Sequence, residues 1–286
     1  MNNIGKILGV IALLAALSVQ NCALANNKNE VRNMTRTEIC KENYRDLFGG
    51  EALSENIQDA EFMAILQKYI FGEVFTIGNL DKKTREMLTV VSLATQQTLP
   101  QLNAHINAAL NVGVKPLEIR EALYMTAPFI GFPKALNAIG VMNEVFKSRN
   151  IELPLPDTTN VVEENRFATG QKIQEPLYGD EIKQVLSDVP DNMGAETARL
   201  LTEVCFGDYY SRGGLDVKTR ELLAVSILVS NGNLAVLKSH IKGNIKAGNS
   251  PETIAAAIVQ VMPYVGFPSA IESLKILSSV IKEAGK

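Results

Sequence analysis

The chain has 286 residues, is 46% hydrophobic and carries a formal net charge of −3. This length and apolar content can fill a large core, so the fold needs neither a metal ion nor disulfide bonds for stability. The negative charge leaves no broad basic surface for a phosphate backbone, and we therefore expect no nucleic-acid partner.

The first 25 residues have the pattern of a secretory signal peptide. Lys6 precedes an apolar run over 7–17, and the sequence Ala23-Leu24-Ala25 follows it. We expect cleavage after Ala25 and an exported, periplasmic protein. No membrane span is predicted, because the apolar run is too short to cross a bilayer comfortably. A lipoprotein anchored through Cys22 is a less favoured alternative, since Asn21 stands where a small residue is usual.

Tryptophan is absent, aromatic residues make up only 6% of the chain, and aliphatic residues dominate, which favours an all-α fold. In chain order, apolar residues at helical spacing predict helices over 39–48 and 62–70 in the first half. In the second half the same pattern predicts helices over 167–178 and 195–204. Each pair of helices leads into a longer stretch that the chain contains twice.

Residues 80–133 and 215–268 repeat one another without a gap at an offset of 135 residues. In each copy an aspartate, Asp81 or Asp216, is suited to cap the helix that follows. That helix is apolar on nearly every side, which indicates a central helix buried in the interior.

Three further helices should follow in each copy. The first carries a histidine and should end at Gly113 or Gly248, because glycine readily adopts the left-handed conformation that terminates helices. The second should break before Pro128 or Pro263, since proline interrupts helical hydrogen bonding. The third should begin at a Gly-Phe-Pro turn.

Two copies with strongly apolar central helices should bury those helices against each other as a pseudo-two-fold pair. We therefore predict a first domain over 38–150, a linker over 151–164 and a second domain over 165–286. The linker carries Pro154 and Pro156 among polar and acidic residues, as exposed connectors often do.

The only two histidines of the chain, His105 and His240, occupy the same repeat position. Each lies nineteen residues after a glutamate, Glu86 or Glu221, on the central helix. A buried glutamate–histidine pair can shuttle a proton at neutral pH. The alternative is a hydrogen-bonded core histidine without a chemical role, since duplication by itself explains part of the match.

Two arginines, Arg85 and Arg220, precede these glutamates and could clamp a substrate carboxylate. The alternative is a surface ion pair with a nearby acidic residue. Four polar or aromatic residues of the first copy have no counterpart of the same type in the second: Glu118, Arg120, Glu121 and Tyr124. We therefore expect the richer site in the first copy. A solvated helix face is the other interpretation of Glu118 and Arg120.

Other kinds of site find little support in the sequence. It contains no phosphate-binding loop, no dinucleotide glycine pattern after a strand and no serine nucleophile elbow. Two histidines on separate copies make a weak case for zinc, so we expect no metal and no cofactor. Cys40 and Cys205 are not repeat equivalents. The sequence is compatible with a disulfide between them and equally with two buried free thiols.

Four short motifs in each copy resemble the carboxymuconolactone decarboxylase family, which shares the AhpD-like fold. They read L-D-x-x-T-R-E-[ML]-L, H-I, G-x-x-P-x-x-I and P-x-x-G-F-P. The resemblance covers both halves, from about residue 38 to 148 and from about 165 to the C-terminus. It implies an all-α, duplicated AhpD-like domain, and a chain with two such units should assemble into a homotrimer.

The decarboxylase members of this family use no cofactor and act on a lactone acid through a glutamate–histidine type of site. By resemblance, Glu86 and His105 are the catalytic acid–base pair, with Glu221 and His240 as a second or vestigial set. The expected partner is a small-molecule acid or lactone. A noncatalytic binding or structural protein on the same fold is the alternative.

The peroxidase members of the family place a Cys-x-x-Cys motif just before the histidine. The matching positions here are Thr98 and Gln101 in the first copy, and Asn233 and Val236 in the second. Because the thiolate is the nucleophile in that reaction, we expect no dithiol peroxidase activity.

Overall fold

The computed structural model describes residues 34–284. The predicted signal peptide, its cleavage site at Ala25 and the alternative lipid site at Cys22 lie outside the described residues. The described chain consists of helices and connections, with no strand in that range. The all-α prediction is confirmed, and none of the described helices is long and apolar enough to cross a membrane.

The first half contains seven α-helices and one 3₁₀ turn at Val74–Thr76. The helices are α1 Arg36–Phe48, α2 Ala60–Gly72, α3 Lys82–Gln96, α4 Leu99–Asn111, α5 Pro116–Tyr124, α6 Ala127–Ile130 and α7 Phe132–Ser148.

The second half repeats this order with two differences: the entry into the central helix is different, and one continuous helix, Pro251–Val265, stands in place of α5 and α6. A 3₁₀ turn at Glu163–Asn165 leads into the helix Arg166–Tyr178, and a π-helix at Leu201–Tyr210 continues from the helix Met193–Leu200. The helices are α8 Arg166–Tyr178, α9 Glu181–Val185, α10 Met193–Leu200, α11 Val217–Asn231, α12 Leu234–Lys246, α13 Pro251–Val265 and α14 Phe267–Ala284.

Side-chain caps fix the start of the two central helices, α3 and α11. The Oδ1 atom of Asp81 accepts a hydrogen bond of 2.7 Å from the backbone N–H of Thr84. Asp216 makes the same contact with Thr219 at 2.8 Å. Each cap satisfies one of the backbone donors that the first helical turn leaves unpaired.

Two predicted boundaries in the second half differ from the structure. The helix expected over 195–204 ends at Leu200 and passes into the π-helix, and the helix expected to break before Pro263 continues through it to Val265. Pro263 lies in the last turn of α13, where a missing N–H costs only one hydrogen bond. The backbone N–H of Gly266 closes that turn on the Met262 carbonyl at 2.9 Å.

The two central helices pack against each other in the middle of the molecule. Every residue from Arg85 to Thr95 of α3 and from Arg220 to Val229 of α11 is buried, and one apolar core contains side chains of both copies. Two hydrogen bonds join the helices: Ser226 Oγ donates to the Leu88 carbonyl at 2.9 Å, and the Ser92 and Ser230 hydroxyls lie 2.7 Å apart. The predicted pairing of the two copies is confirmed.

Candidate active site

The first copy brings Glu86 and His105 together. Glu86 lies one turn into α3, and His105 projects from α4, so that Nδ1 of the imidazole is 2.8 Å from Oε2 of the carboxylate. The carboxylate is fully buried, and the histidine side chain is 9% exposed. A carboxylate in an apolar interior needs such a partner, because a buried charge without one is strongly disfavoured.

The proton on this imidazole can be assigned from its partner. Opposite an ionised carboxylate, which only accepts hydrogen bonds, Nδ1 of His105 is the donor. Two aromatic rings contact the imidazole edge to face, Phe48 with ring centroids 5.6 Å apart and Tyr264 at 5.7 Å. Tyr264 belongs to the second copy, so each half contributes to this site.

The second copy separates its glutamate from its histidine. Nδ1 of His240 lies 3.6 Å from Oε2 of Glu221, beyond hydrogen-bond reach. The hydroxyl of Tyr178 stands between them and donates to Glu221 Oε2 at 2.6 Å, while Nδ1 of His240 lies 2.8 Å from the same hydroxyl oxygen. The sequence equivalents are therefore not structural equivalents: one site is a direct pair, and the other is a three-residue chain.

A cavity of about 360 Å³ opens beside His240. Its lining includes Tyr178, Cys205 and Phe206 from the second copy and Phe129 from the first. Phe129 packs on the His240 ring with centroids 5.6 Å apart and is the repeat equivalent of Tyr264, since 264 − 129 = 135. The volume of this cavity lies in the usual range for small-molecule pockets.

The hydroxyl and thiol groups around Glu221 are neutral, and Tyr178 donates a hydrogen bond to it. Burial, together with the Glu221 carboxylate, raises the pKa of the Tyr178 and Tyr210 hydroxyls well above their usual range. The same two causes raise the pKa of the Cys205 thiol to about 12. These groups keep their protons at neutral pH and surround a single buried anion.

Cys40 and Cys205 are both buried free thiols. Of the two, only Cys205 lines the cavity. The positions at which peroxidase relatives are expected to carry cysteines, Asn233 and Val236, line the same cavity. A thiol whose pKa is raised to about 12 forms little thiolate at neutral pH, so Cys205 is a poor nucleophile.

Arg85 is occupied with the polypeptide backbone. Its guanidinium donates to the carbonyls of Val74, Ile77 and Leu80, and to Gln260 Oε1 from the second copy at 2.8 Å. Burial lowers the pKa of this guanidinium to about 10, although it remains charged at neutral pH. Arg85 therefore ties the entry of α3 to α13, and it does not line the cavity beside His240.

Arg220 belongs to a buried ion cluster at the junction of the two halves. Glu121 is fully buried and accepts hydrogen bonds from Arg212 Nε at 2.9 Å, Arg120 Nη2 at 3.0 Å and Arg220 Nη2 at 3.3 Å. Burial raises the pKa of Glu121, but the hydrogen bonds from Arg212 and Thr158 and the charge of Arg212 outweigh it and lower the net value. The carboxylate is therefore charged.

Three of the four residues on which the richer first site was predicted, Arg120, Glu121 and Tyr124, belong to this cluster. Arg120 is 7% exposed and does not form a solvated helix face, whereas Glu118 is half-buried and accepts a hydrogen bond of 2.7 Å from the Lys115 backbone N–H. Glu121 joins the halves through Arg212 and Arg220. Tyr124 stacks under the guanidinium groups of Arg120 and Arg212, at 5.5 and 5.3 Å from its ring centre. The cavity next to a histidine belongs to the second copy.

Sequence reasoning missed Tyr178 and Phe129. Tyr178 lies outside the gapless repeat, at the end of a predicted helix. A signal was present, because Leu47-Phe48-Gly49 and Leu177-Tyr178-Gly179 match at an offset of 130 and place an aromatic residue at the same helix end. Phe129 lies within the repeat, but no local pattern shows that it reaches across to the other copy.

No group of three or more metal-ligating side chains occurs within residues 34–284. The sites described above consist of hydrogen-bonding side chains and aromatic rings.

A sequence model of the carboxymuconolactone decarboxylase family matches the chain twice, over residues 60–144 and 195–279. A solved chain from Burkholderia xenovorans, described as a gamma-carboxymuconolactone decarboxylase subunit, superposes with a TM-score of 0.51 at 19% identity. The superposition covers 86% of this chain and 97% of the other. This likeness supports the fold.

Two curated relatives match about one third of the chain each. The nitrosuccinic acid decarboxylase of Metarhizium robertsii is 29% identical over 100 residues, which cover 33% of this chain and 70% of the relative. The 4-carboxymuconolactone decarboxylase of Acinetobacter baylyi is 28% identical over 99 residues, which cover 34% of this chain and 74% of the relative.

Proposed function

The chain belongs to the carboxymuconolactone decarboxylase family, and we propose that it is a cofactor-free lyase that removes carbon dioxide from a small lactone or carboxylic acid. The observation that carries this proposal is the His240 imidazole, which lines a cavity and is linked to the buried Glu221 carboxylate through Tyr178. The two curated relatives that carry decarboxylase names support the same reaction class.

The acid–base groups that we assign are Glu221 with His240 and Glu86 with His105. Of these, the second-copy set is favoured as the working site, because His240 lines a cavity whereas His105 is packed between Phe48 and Tyr264. Arg85 and Arg220 are not assigned to substrate binding, because their guanidinium groups contact backbone carbonyls and other side chains and do not line the cavity.

The proposed reaction needs one proton for each carbon dioxide released. The bond between the substrate's carboxylate carbon and its neighbour breaks, and its electron pair moves toward an adjacent carbonyl of the substrate as an enolate. His240 takes up at Nε2 the proton that the substrate's carboxyl group gives up, delivers it to the carbon that lost carbon dioxide, and returns to the neutral form with its proton on Nδ1. The Glu221 charge stabilises the imidazolium through the Tyr178 hydroxyl.

The cavity also limits the charge of the substrate. No lysine or arginine occurs among the described residues that line it, and Glu181 lies on its wall. Multiple carboxylates would lack the cationic partners that such groups usually have in proteins. We therefore propose a substrate with a single carboxylate, placed beside His240, and a largely apolar body.

The test compares His240→Gln with the matched variant His105→Gln. Carbon dioxide release is measured on a panel of lactone acids that carry one, two or three carboxylates. His240→Gln should lower kcat by at least about 100-fold, as expected for loss of a general acid–base group. His105→Gln should change kcat by less than about 10-fold and lower stability by about 1–3 kcal/mol, because it disturbs a buried hydrogen bond.

The alternative, a binding protein on the same fold, predicts a different result. A panel compound would then be retained without carbon dioxide release, and His240→Gln would change its dissociation constant only. Equal turnover in the wild type and in His240→Gln would also exclude the proposed chemistry. Preference for substrates with two or three carboxylates would contradict the proposed charge limit.

A further inference from the structure

The two histidine sites differ at one helix end. Helices α1 and α8 both have thirteen residues, and each ends in an aromatic residue before a glycine with positive φ, Gly49 or Gly179. The terminal residue is Phe48 in the first half, and it packs on His105. In the second half it is Tyr178, which packs on His240 with ring centroids 5.3 Å apart. The two copies therefore present the same ring, with and without a hydroxyl.

A second difference makes room for that hydroxyl. A Cβ atom on Gly243 would lie 2.7 Å from the Tyr178 hydroxyl oxygen and 3.0 Å from Glu221 Oε2. The repeat equivalent of Gly243 is Ala108, since 243 − 108 = 135, and Ala108 is fully buried. The copy with phenylalanine thus carries alanine, and the copy with tyrosine carries the glycine that the phenol requires. Two separate positions of the second copy, Tyr178 and Gly243, therefore both fit the placement of a hydroxyl beside Glu221 and His240.

The direction of the hydrogen bonds follows from the chemistry of the three groups. Glu221 accepts, so the Tyr178 hydroxyl donates its single proton to Oε2 at 2.6 Å. The phenol oxygen is then an acceptor for Nδ1–H of His240 at 2.8 Å. Burial and the Glu221 charge raise the pKa of Tyr178, so the phenol keeps this proton at neutral pH. With the proton on Nδ1, Nε2 is left to exchange a proton with a ligand in the cavity.

We propose that Tyr178 is a positioning residue of the second site. Its hydroxyl fixes the tautomer and orientation of His240 and forms a hydrogen-bond relay from His240 to Glu221, and the absence of a side chain at Gly243 leaves room for that hydroxyl. The effect on turnover rests on the proposed function, whereas the hydrogen-bond relay can be tested without any substrate. The first site has Phe48 and Ala108 at these two positions, and it therefore lacks the hydroxyl group that forms the relay.

The first experiment uses the fact that the chain has only two histidines. Nitrogen-15 NMR of the imidazoles gives two sets of signals, which His105→Gln and His240→Gln assign. In the wild type, His240 should show a protonated Nδ1 and an unprotonated Nε2. Tyr178→Phe should shift the His240 nitrogen signals and leave those of His105 in place. Unchanged His240 signals in Tyr178→Phe would overturn the relay.

The second experiment is a double-mutant cycle between Tyr178→Phe and Gly243→Ala. Gly243→Ala alone should displace the phenol, shift the His240 signals and lower the thermal midpoint by more than about 2 °C. The double variant should be no less stable than Gly243→Ala, because it reproduces the phenylalanine–alanine pair of the first copy. Strictly additive effects on the thermal midpoint would overturn the assignment of Gly243.

The matched control is made in the first copy. Phe48→Tyr with Ala108→Gly inserts the same hydroxyl and the same space beside His105. It should shift the His105 nitrogen signals toward those of His240 and leave the His240 signals in place. Failure of the His105 signals to move would contradict the claim that these two positions alone build the relay.

The kinetic arm separates this proposal from the proposed function. If the wild type releases carbon dioxide, Tyr178→Phe should lower kcat by about 10- to 100-fold with KM changed less than about 3-fold, a smaller loss than removal of the imidazole itself. An unchanged kcat in Tyr178→Phe would overturn the positioning role. A wild type without turnover would refute the lyase, and the NMR results would still decide the relay.

Discussion

At the scale of single residues, the second site and the junction of the halves each depend on one buried carboxylate. Glu221 faces neutral donors and a histidine, and it leaves that histidine accessible from a cavity. Glu121 faces three guanidinium groups and is saturated by them. Because the neighbours of the two carboxylates differ, Glu221 belongs to the proposed acid–base site, whereas Glu121 joins the two halves of the molecule.

Replacement of Glu121 tests its cohesive role. Glu121→Gln should lower the free energy of unfolding by about 3–5 kcal/mol, because it leaves buried arginines without their counter-charge. The pKa of Glu121 is lowered in the fold, so its contribution is present above the ordinary carboxyl value and is lost as pH falls through the lowered one. Denaturant unfolding at pH 7 and pH 3 measures both effects.

Glu272 offers a matched control for this prediction. It is exposed and pairs with Lys275 at 2.8 Å on the surface of α14. Glu272→Gln should change stability by less than about 1 kcal/mol. A similar small effect of Glu121→Gln would mean that the buried cluster does not hold the halves together.

At the scale of helices, the caps on α3 and α11 determine where the glutamates lie. Asp216 caps the first turn of α11, and Glu221 follows one and a half turns later on the buried face. A cap that fixes the first turn also fixes the helical phase of the residues after it. The sequence motif shared by the two copies thus encodes both the helix start and the direction in which its acidic side chain points.

Removal of this cap should weaken α11. Asp216→Ala should lower stability by about 0.5–2 kcal/mol, whereas Asp216→Asn, which can still accept the bond from Thr219, should retain most of it. The hydrogen bond from Thr219 lowers the pKa of Asp216, so the difference between wild type and Asp216→Ala should shrink as pH falls through that lowered value. Thermal unfolding of the three proteins measures the effect, and equal midpoints for all three would contradict it.

At the scale of the whole molecule, the two halves are completed by each other. Their central helices share one core, Gln260 of the second half binds Arg85 of the first, and Phe129 of the first half covers His240 of the second. Assembly into a homotrimer and export to the periplasm stay predictions. Exposed apolar residues recur at equivalent positions in both halves, Phe132 with Phe267 and Leu136 with Ile271, which supports further association.

Separated halves should therefore fail to fold on their own. Chains of residues 34–150 and 151–286, expressed singly, should show helical circular dichroism without a cooperative thermal transition, because each would expose its central helix. Mixing the two should restore cooperative unfolding. A single half that unfolds cooperatively as a monomer would contradict this prediction.

Local chemistry let the sequence alone determine most of the helices, the duplication and the matched spacing of the glutamates and histidines. Helical spacing, the Asp81 and Asp216 caps and the Glu–His spacing are properties of neighbouring residues, and periodic hydrogen bonding makes them readable. Only tertiary structure decided which site has a cavity and which glutamate meets its histidine directly. Tyr178 lies 62 residues from His240 in the chain, and contacts at that separation depend on how helices pack, which no local pattern records.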